Sequence, residues 1–130
     1  MPIELTYTED NGIILKGRGV ITGTEITEAN KKIYATPELI KNIAYQIGDF
    51  TEIEGLDISS DYVRKLAEED KRAAQINPKI LMAVVGEKDL IYGLLRMWQA
   101  YVDDPPFESE LFRNIKDAED WIASKLKKGA

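Results

Sequence analysis

The sequence predicts a single α/β domain over residues 1–130, with a mixed, largely parallel sheet and helices packed on it. Three observations carry this. Segments with a two-residue apolar period interleave with segments of helical period in the order β-β-α-β-α-β-α-β-α. One segment, Lys79-Ile80-Leu81-Met82-Ala83-Val84-Val85-Gly86, is almost continuously apolar, as a strand covered on both faces requires. A chain of 130 residues, 44% hydrophobic and 31% charged, can bury one sizeable core and leaves little room for a second.

Each element has its own signal. Ile3, Leu5 and Tyr7 alternate with Glu4, Thr6 and Thr8 as in a half-buried strand, and Asn11-Gly12 follows as a hairpin turn. A second strand runs from Ile13 to about Val20, with Gly17 and Gly19 marking a bend or a close backbone approach. Thr22 and Glu25 have capping-box spacing, and Ile26, Ala29, Ile33 and Tyr34 form the stripe of a helix that Pro37 ends or interrupts. Ile43, Tyr45 and Ile47 read as a strand, and Gly48 to Gly55 as an acidic connection. Val63, Leu66, Ala67, Ala73 and Ala74 then mark one face of a helix closed by Pro78, with Glu68 and Arg72 spaced for a surface ion pair.

After the apolar strand, Asp89 is placed to cap a helix from Leu90 to Val102 whose apolar arc is too wide for an ordinary surface helix. Asp103-Asp104-Pro105-Pro106 is a turn or loop, and Glu108 to Phe112 a short edge strand. Asn114 caps a last helix through Ala118, Trp121, Ile122 and Leu126.

Composition removes several function classes. The chain has no Cys and no His, which excludes disulfides, thiolate nucleophiles, imidazole bases and Cys/His zinc sites. A net charge of -6, with basic residues mostly interspersed among acidic ones, argues against nucleic acid as a partner. No apolar run approaches the ~20 residues of a membrane span, and Met1-Pro2-Ile3-Glu4 lacks a signal pattern, so a cytoplasmic protein is expected. No catalytic, cofactor or metal site is assigned. The acidic clusters Glu52, Glu54 and Asp57, Glu68, Glu69 and Asp70, and Asp103 and Asp104 read as solvated charges, too sparse for a calcium loop.

Three places remain as candidates. Asp57, Ser59, Ser60 and Asp61 lie where a loop turns into a helix, so the two hydroxyls act either as helix caps or as an edge that meets an anion or a partner. Gly86-Glu87-Lys88-Asp89 lies after a central strand, where α/β ligands tend to bind, but has neither a Walker pattern nor a dinucleotide fingerprint. In the third, core packing accounts for Leu90, Leu94, Leu95 and Trp98, and leaves Ile91, Tyr92, Met97, Tyr101 and Val102 in surplus. An apolar interface or pocket over Ile91, Leu94, Leu95, Trp98, Tyr101 and Val102 is therefore expected, with Arg96 available for an anionic head group.

The element order, Asp57-Ile58-Ser59-Ser60-Asp61 at a strand-to-helix junction, Met82-Ala83-Val84-Val85-Gly86, and Glu110-Leu111-Phe112 followed by Ala118-Glu119-Asp120-Trp121-Ile122 together resemble the STAS superfamily. The resemblance is to the anti-sigma factor antagonists and to an uncharacterised SpoIIAA-like branch sometimes grouped with lipid-binding CRAL-TRIO proteins. In the antagonists an Asp-Ser-Ser-Gly motif opens a helix and one Ser is phosphorylated. Here Ile58 interrupts the motif and Asp61 replaces its Gly, so a phosphate would meet two carboxylates. The resemblance implies a bacterial, non-catalytic regulatory or binding domain that acts by contact with a protein partner or by self-association as a homo-oligomer. The alternatives are a binder of a small apolar or anionic lipid-like ligand, and a carboxylate- or Ser-based enzyme.

Overall fold

The computed structural model describes residues 2–102 and 108–129, with side chains through residue 127. The expected loop at Asp103-Asp104-Pro105-Pro106 lies outside the described residues. Five strands form one sheet in the order β1-β2-β3-β4-β5: β1 (Ile3–Tyr7), β2 (Gly12–Thr22), β3 (Tyr45–Asp57), β4 (Leu81–Val85) and β5 (Glu108–Phe112). β1 is antiparallel to β2, and β2 to β5 run parallel.

Helices α1 (Gly23–Ile33), α2 (Pro37–Lys41), α3 (Ser60–Ile76) and α4 (Asp89–Val102) lie in the connections between parallel strands, and α5 (Ile115–Gly129) follows β5. Because successive parallel strands step across the sheet in one direction, right-handed crossovers place their helices on the same face. The core follows that rule. Ala29, Ile33, Val63, Ala67, Leu95 and Trp98 share one cluster with Ile13, Leu15, Phe50 and Ile53 of the sheet. On the opposite face Ala118 and Ile122 of α5 pack on Tyr45, Ile47, Leu81, Ala83 and Val85. Every residue of β4 is buried, as its unbroken apolar run requires.

The helix starts are chemically specified. Thr22 and Glu25 form the reciprocal capping box, with Glu25 N–H on Thr22 Oγ1 at 3.3 Å and Thr22 N–H on Glu25 Oε1 at 2.9 Å. Asn114 Oδ1 accepts the Asp117 N–H at 2.9 Å, at the start of α5. Asn11, at φ 64°, makes the turn before β2, and Gly19, at φ 71°, sits at a register shift within it.

Four details depart from the sequence expectations. The segment Gly48 to Gly55 is strand, not connection: β3 is 13 residues long and pairs with β2 as far as Thr22 and Asp57. Pro37 opens a short helix of its own, at its first position, with Thr36 Oγ1 accepting the Leu39 N–H at 3.2 Å. Asp89 is the first residue of α4 and not its cap; its carboxylate accepts from Arg113 at 2.9 Å. No ion pair joins Glu68 and Arg72 among the described residues.

Candidate functional site

β3 ends at Asp57, and Ser59, with extended backbone at φ -81° and ψ 162°, is the N-cap of α3. Its Oγ accepts the Tyr62 N–H at 3.2 Å. Ser60 is the first helical residue, exposed, and its hydroxyl makes no hydrogen bond among the described residues. Asp57 and Asp61 are also exposed. The junction is nevertheless anchored. The Tyr62 hydroxyl lies 2.9 Å from Thr27 Oγ1, and the Tyr62 ring covers Gly23, where an added Cβ would lie 2.5 Å from Cδ1.

The turn after β4 is built for packing. A Cβ on Gly86 would come within 3.0 Å of Leu95 and 3.1 Å of Ile91, so glycine lets α4 close on the strand end. Arg113, beyond β5, donates to the Glu87 carbonyl at 3.0 Å and to Asp89, with its guanidinium 3.9 Å from the Tyr92 ring centroid. Those bonds hold the Arg113 guanidinium on acceptors of the turn.

In α4 the surplus assigned from sequence is redistributed. Ile91 and Val102 are among the most deeply buried side chains and belong to the core, whereas Leu90, expected in the core, is 73% exposed. The phase of the helix explains this: Ile91, Leu95, Trp98 and Val102 follow at four, three and four residues, and Leu90 falls off that stripe. Tyr101 is half-buried, with the Arg64 guanidinium 5.4 Å from its ring centroid.

Between β3, α3 and α4 lies a cavity of about 90 Å³ with largely apolar walls. Leu94, Leu95 and Trp98 line it from α4, Val63 and Leu66 from α3, Phe50 and Leu56 from β3, and Ile58 from the junction. Two sequence candidates therefore converge, since the Asp57 to Asp61 edge contributes Ile58 to the space that Leu94, Leu95 and Trp98 enclose. Ile91, Tyr101, Val102, Arg96 and the Gly86 to Asp89 turn are not part of its lining.

The inner end of the cavity holds Asp70, which the sequence places in a solvated acidic cluster. Asp70 is buried, accepting the Tyr34 hydroxyl at 2.7 Å and the Trp98 indole N–H at 2.9 Å. Gln46 donates to the Tyr34 oxygen at 2.8 Å, and Asn30 donates to Glu69 at 2.9 Å. Burial pushes Asp70 up to about 6 against the opposing pull of its two hydrogen bonds. Burial, then the Asp70 charge, raises the Tyr34 phenol well above its ordinary value. Asp70 is not a solvated charge because it continues the buried stripe of α3: Val63, Leu66, Ala67, Asp70, Ala73 and Ala74. That spacing is visible in the sequence and is the signal that finds it.

Asp70 is the one carboxylate lining this cavity among the described residues, and Glu69 is engaged by Asn30. No cluster of three or more His, Cys, Asp or Glu side chains suited to a metal occurs among the described residues. No helix among them is long and apolar enough to cross a membrane.

The sheet order, the crossovers on one face and the serine-capped helix after the long strand define an α/β fold of the SpoIIAA kind. The solved structure of the Bacillus cell fate determinant SpoIIAA in its phosphorylated form superposes with a TM-score of 0.61 over 92% of this chain and 98% of that one, at 11% identity. At that identity the likeness shows the fold alone. No family model matches the chain, and no curated protein sequence matches it.

Proposed function

We propose that this chain is a non-catalytic STAS-like regulatory domain that works by contact with a protein partner, or with a second copy of itself, through the strand-end edge from Asp57 to Asp61. The observation that carries the reading is Ser60. Ser59 already supplies the helix cap, so the neighbouring exposed hydroxyl has no structural task. Leu90, in the first turn of α4, is 73% exposed. An exposed apolar side chain together with the exposed carboxylates Asp57 and Asp61 suits a partner surface that is both apolar and basic. SpoIIAA, solved in a phosphorylated form, shares the fold. Here a phosphate on Ser60 gains from the helix N-terminus but is opposed by both carboxylates, which favours contact over a phosphoswitch.

The test is light scattering after size exclusion across a dilution series, together with pull-down from the native extract, using the wild type and the Ser60→Ala and Leu90→Glu variants. The expected outcome is an assembly that both variants lose at unchanged urea midpoint. Ser59→Ala, the cap control, lowers stability by about 1 kcal/mol instead. A strict monomer that captures nothing overturns the proposal.

The cavity supports a second reading, a small-ligand binder. Its volume of about 90 Å³ lies below the roughly 300–1,000 Å³ of drug-sized pockets, so it favours a small apolar body over a lipid-like anion. Native mass spectrometry of the purified chain tests this reading by the mass of any ligand that co-purifies.

A further inference from the structure

The cavity walls are apolar, but the hydrogen-bonding capacity left at its inner end is weighted towards acceptors. Tyr34 donates to Asp70, so the Tyr34 oxygen must receive its other bond, which fixes the Gln46 amide with nitrogen towards Tyr34. Gln46 Oε1 is then left with no donor among the described residues. Asn30 is fixed the same way, because its nitrogen faces the Glu69 carboxylate, and its Oδ1 also accepts nothing among the described residues. Each of these residues is only 7% exposed and lines the cavity, Asn30 also lining a second groove beside Glu69. Because no fully buried side-chain N or O among the described residues lacks a partner, both oxygens keep water-accessible surface. Asp70 beside them has two of roughly four acceptor positions filled.

We propose that this cavity binds a small molecule in which an apolar body of about three to five carbons carries one hydrogen-bond-donating head, an alcohol or a primary amine, and that it rejects the matching carboxylate. The inference rests on the small-ligand reading given above and adds the chemistry of the ligand. The size follows from volume: a cavity of ~150 Å³ accepts benzene, and this one measures about 90 Å³. The polarity follows from the inner end, where a donor satisfies Gln46 Oε1, Asn30 Oδ1 or a free position on Asp70. A carboxylate would set acceptor against acceptor and negative charge against Asp70, away from water. The half-buried Leu56, Ile58 and Leu94 form the outer wall, so a ligand can pass without unfolding the sheet.

The experiment titrates the isotope-labelled full chain with isobutanol, isobutylamine and isobutyrate above neutral pH, following the Trp98 indole and Gln46 amide resonances. Saturable shifts are expected with the alcohol and the amine, and affinity at least about tenfold weaker for the acid. Gln46→Met, which keeps the shape but removes the acceptor, should weaken isobutanol about fivefold. Leu94→Phe, which fills the outer wall without touching the polar groups, should abolish binding of both donors. Equal binding of isobutyrate at the same resonances overturns the donor class and leaves the small-ligand reading standing. No saturable shift with any probe up to roughly 50 mM, the range expected for so few ligand atoms, overturns both.

Discussion

Asp70 sets a pH dependence that can be worked out from one residue. Its native pKa, about 6, lies above its ordinary value of 3.8, so between those limits the folded chain binds more protons than the unfolded one. The associated stability is fully present below the ordinary value and is lost as pH rises through about 6. Urea unfolding should therefore show the protein gaining about 2 kcal/mol as pH falls from about 7.5 to about 4.5. Asp10, lowered chiefly by its hydrogen bond from Thr8, and Glu52, lowered chiefly by Lys16, act in the opposite sense, from the acid edge of this window downward. Asp70→Asn should flatten the slope, and Trp98→Phe, which removes a donor that holds the pKa down, should move it to higher pH. An unchanged slope in Asp70→Asn would refute the assignment. The position of Asp70 was legible in the phase of α3, but its partners were not. Tyr34 and Trp98 lie 36 and 28 residues away in sequence, and only the crossovers bring them to the carboxylate.

At the scale of elements, α1 and α3 are joined at their N-terminal ends by Tyr62 resting on Gly23. Gly23→Ala adds helix propensity to α1 but forces the ring aside, so a net loss of about 1–3 kcal/mol is expected in urea unfolding. In a Tyr62→Ala background the same change should be neutral or stabilising, and equal costs in both backgrounds would disprove the contact as the cause. Most elements were readable because one periodicity governed each of them: the alternation in β1, the capping box of α1, the closed apolar run of β4. β3 was not, for a specific reason. Its inward residues Gln46, Gly48 and Phe50 keep a spacing of two, but Ile53 and Leu56 follow at spacings of three. The register shifts once between Lys16 and Arg18, and again between Gly19 and Val20. Each bulge inserts one residue into β3, returns the next apolar side chain to the core and erases the alternation by which a strand is recognised. α3 opens at Ser60 behind its Ser59 cap, but strand, not loop, leads into it, and the link of Ile58 to the α4 cavity depended on this unseen length of strand.

Across the whole molecule, pairing is uneven along β3, and the cavity spans both parts: Gln46, Ile47 and Gly48 line it from the doubly paired part, and Leu56 from the ribbon beyond. Residues 45–49 pair with β2 on one side and β4 on the other, whereas residues 52–57 pair with β2 alone. β4 is paired on both sides and buried throughout. Local opening should therefore cost less in the projecting β2–β3 ribbon than in the sheet centre. Native-state hydrogen exchange at low urea should show amides of 81–85 and 45–49 exchanging through global unfolding. Amides of 52–57 should exchange at least about tenfold faster, through a smaller opening with weak urea dependence. Since Leu56 and Ile58 form part of the cavity wall, a molecule bound there must stabilise the closed ribbon against that opening. Saturation with isobutanol should thus slow exchange in 52–57 and in 81–85 by the same factor, because the ribbon opening and global unfolding both release the ligand. If 52–57 already exchanges with the sheet centre in the free protein, the ribbon is not an independent unit, and binding could not be read out through it.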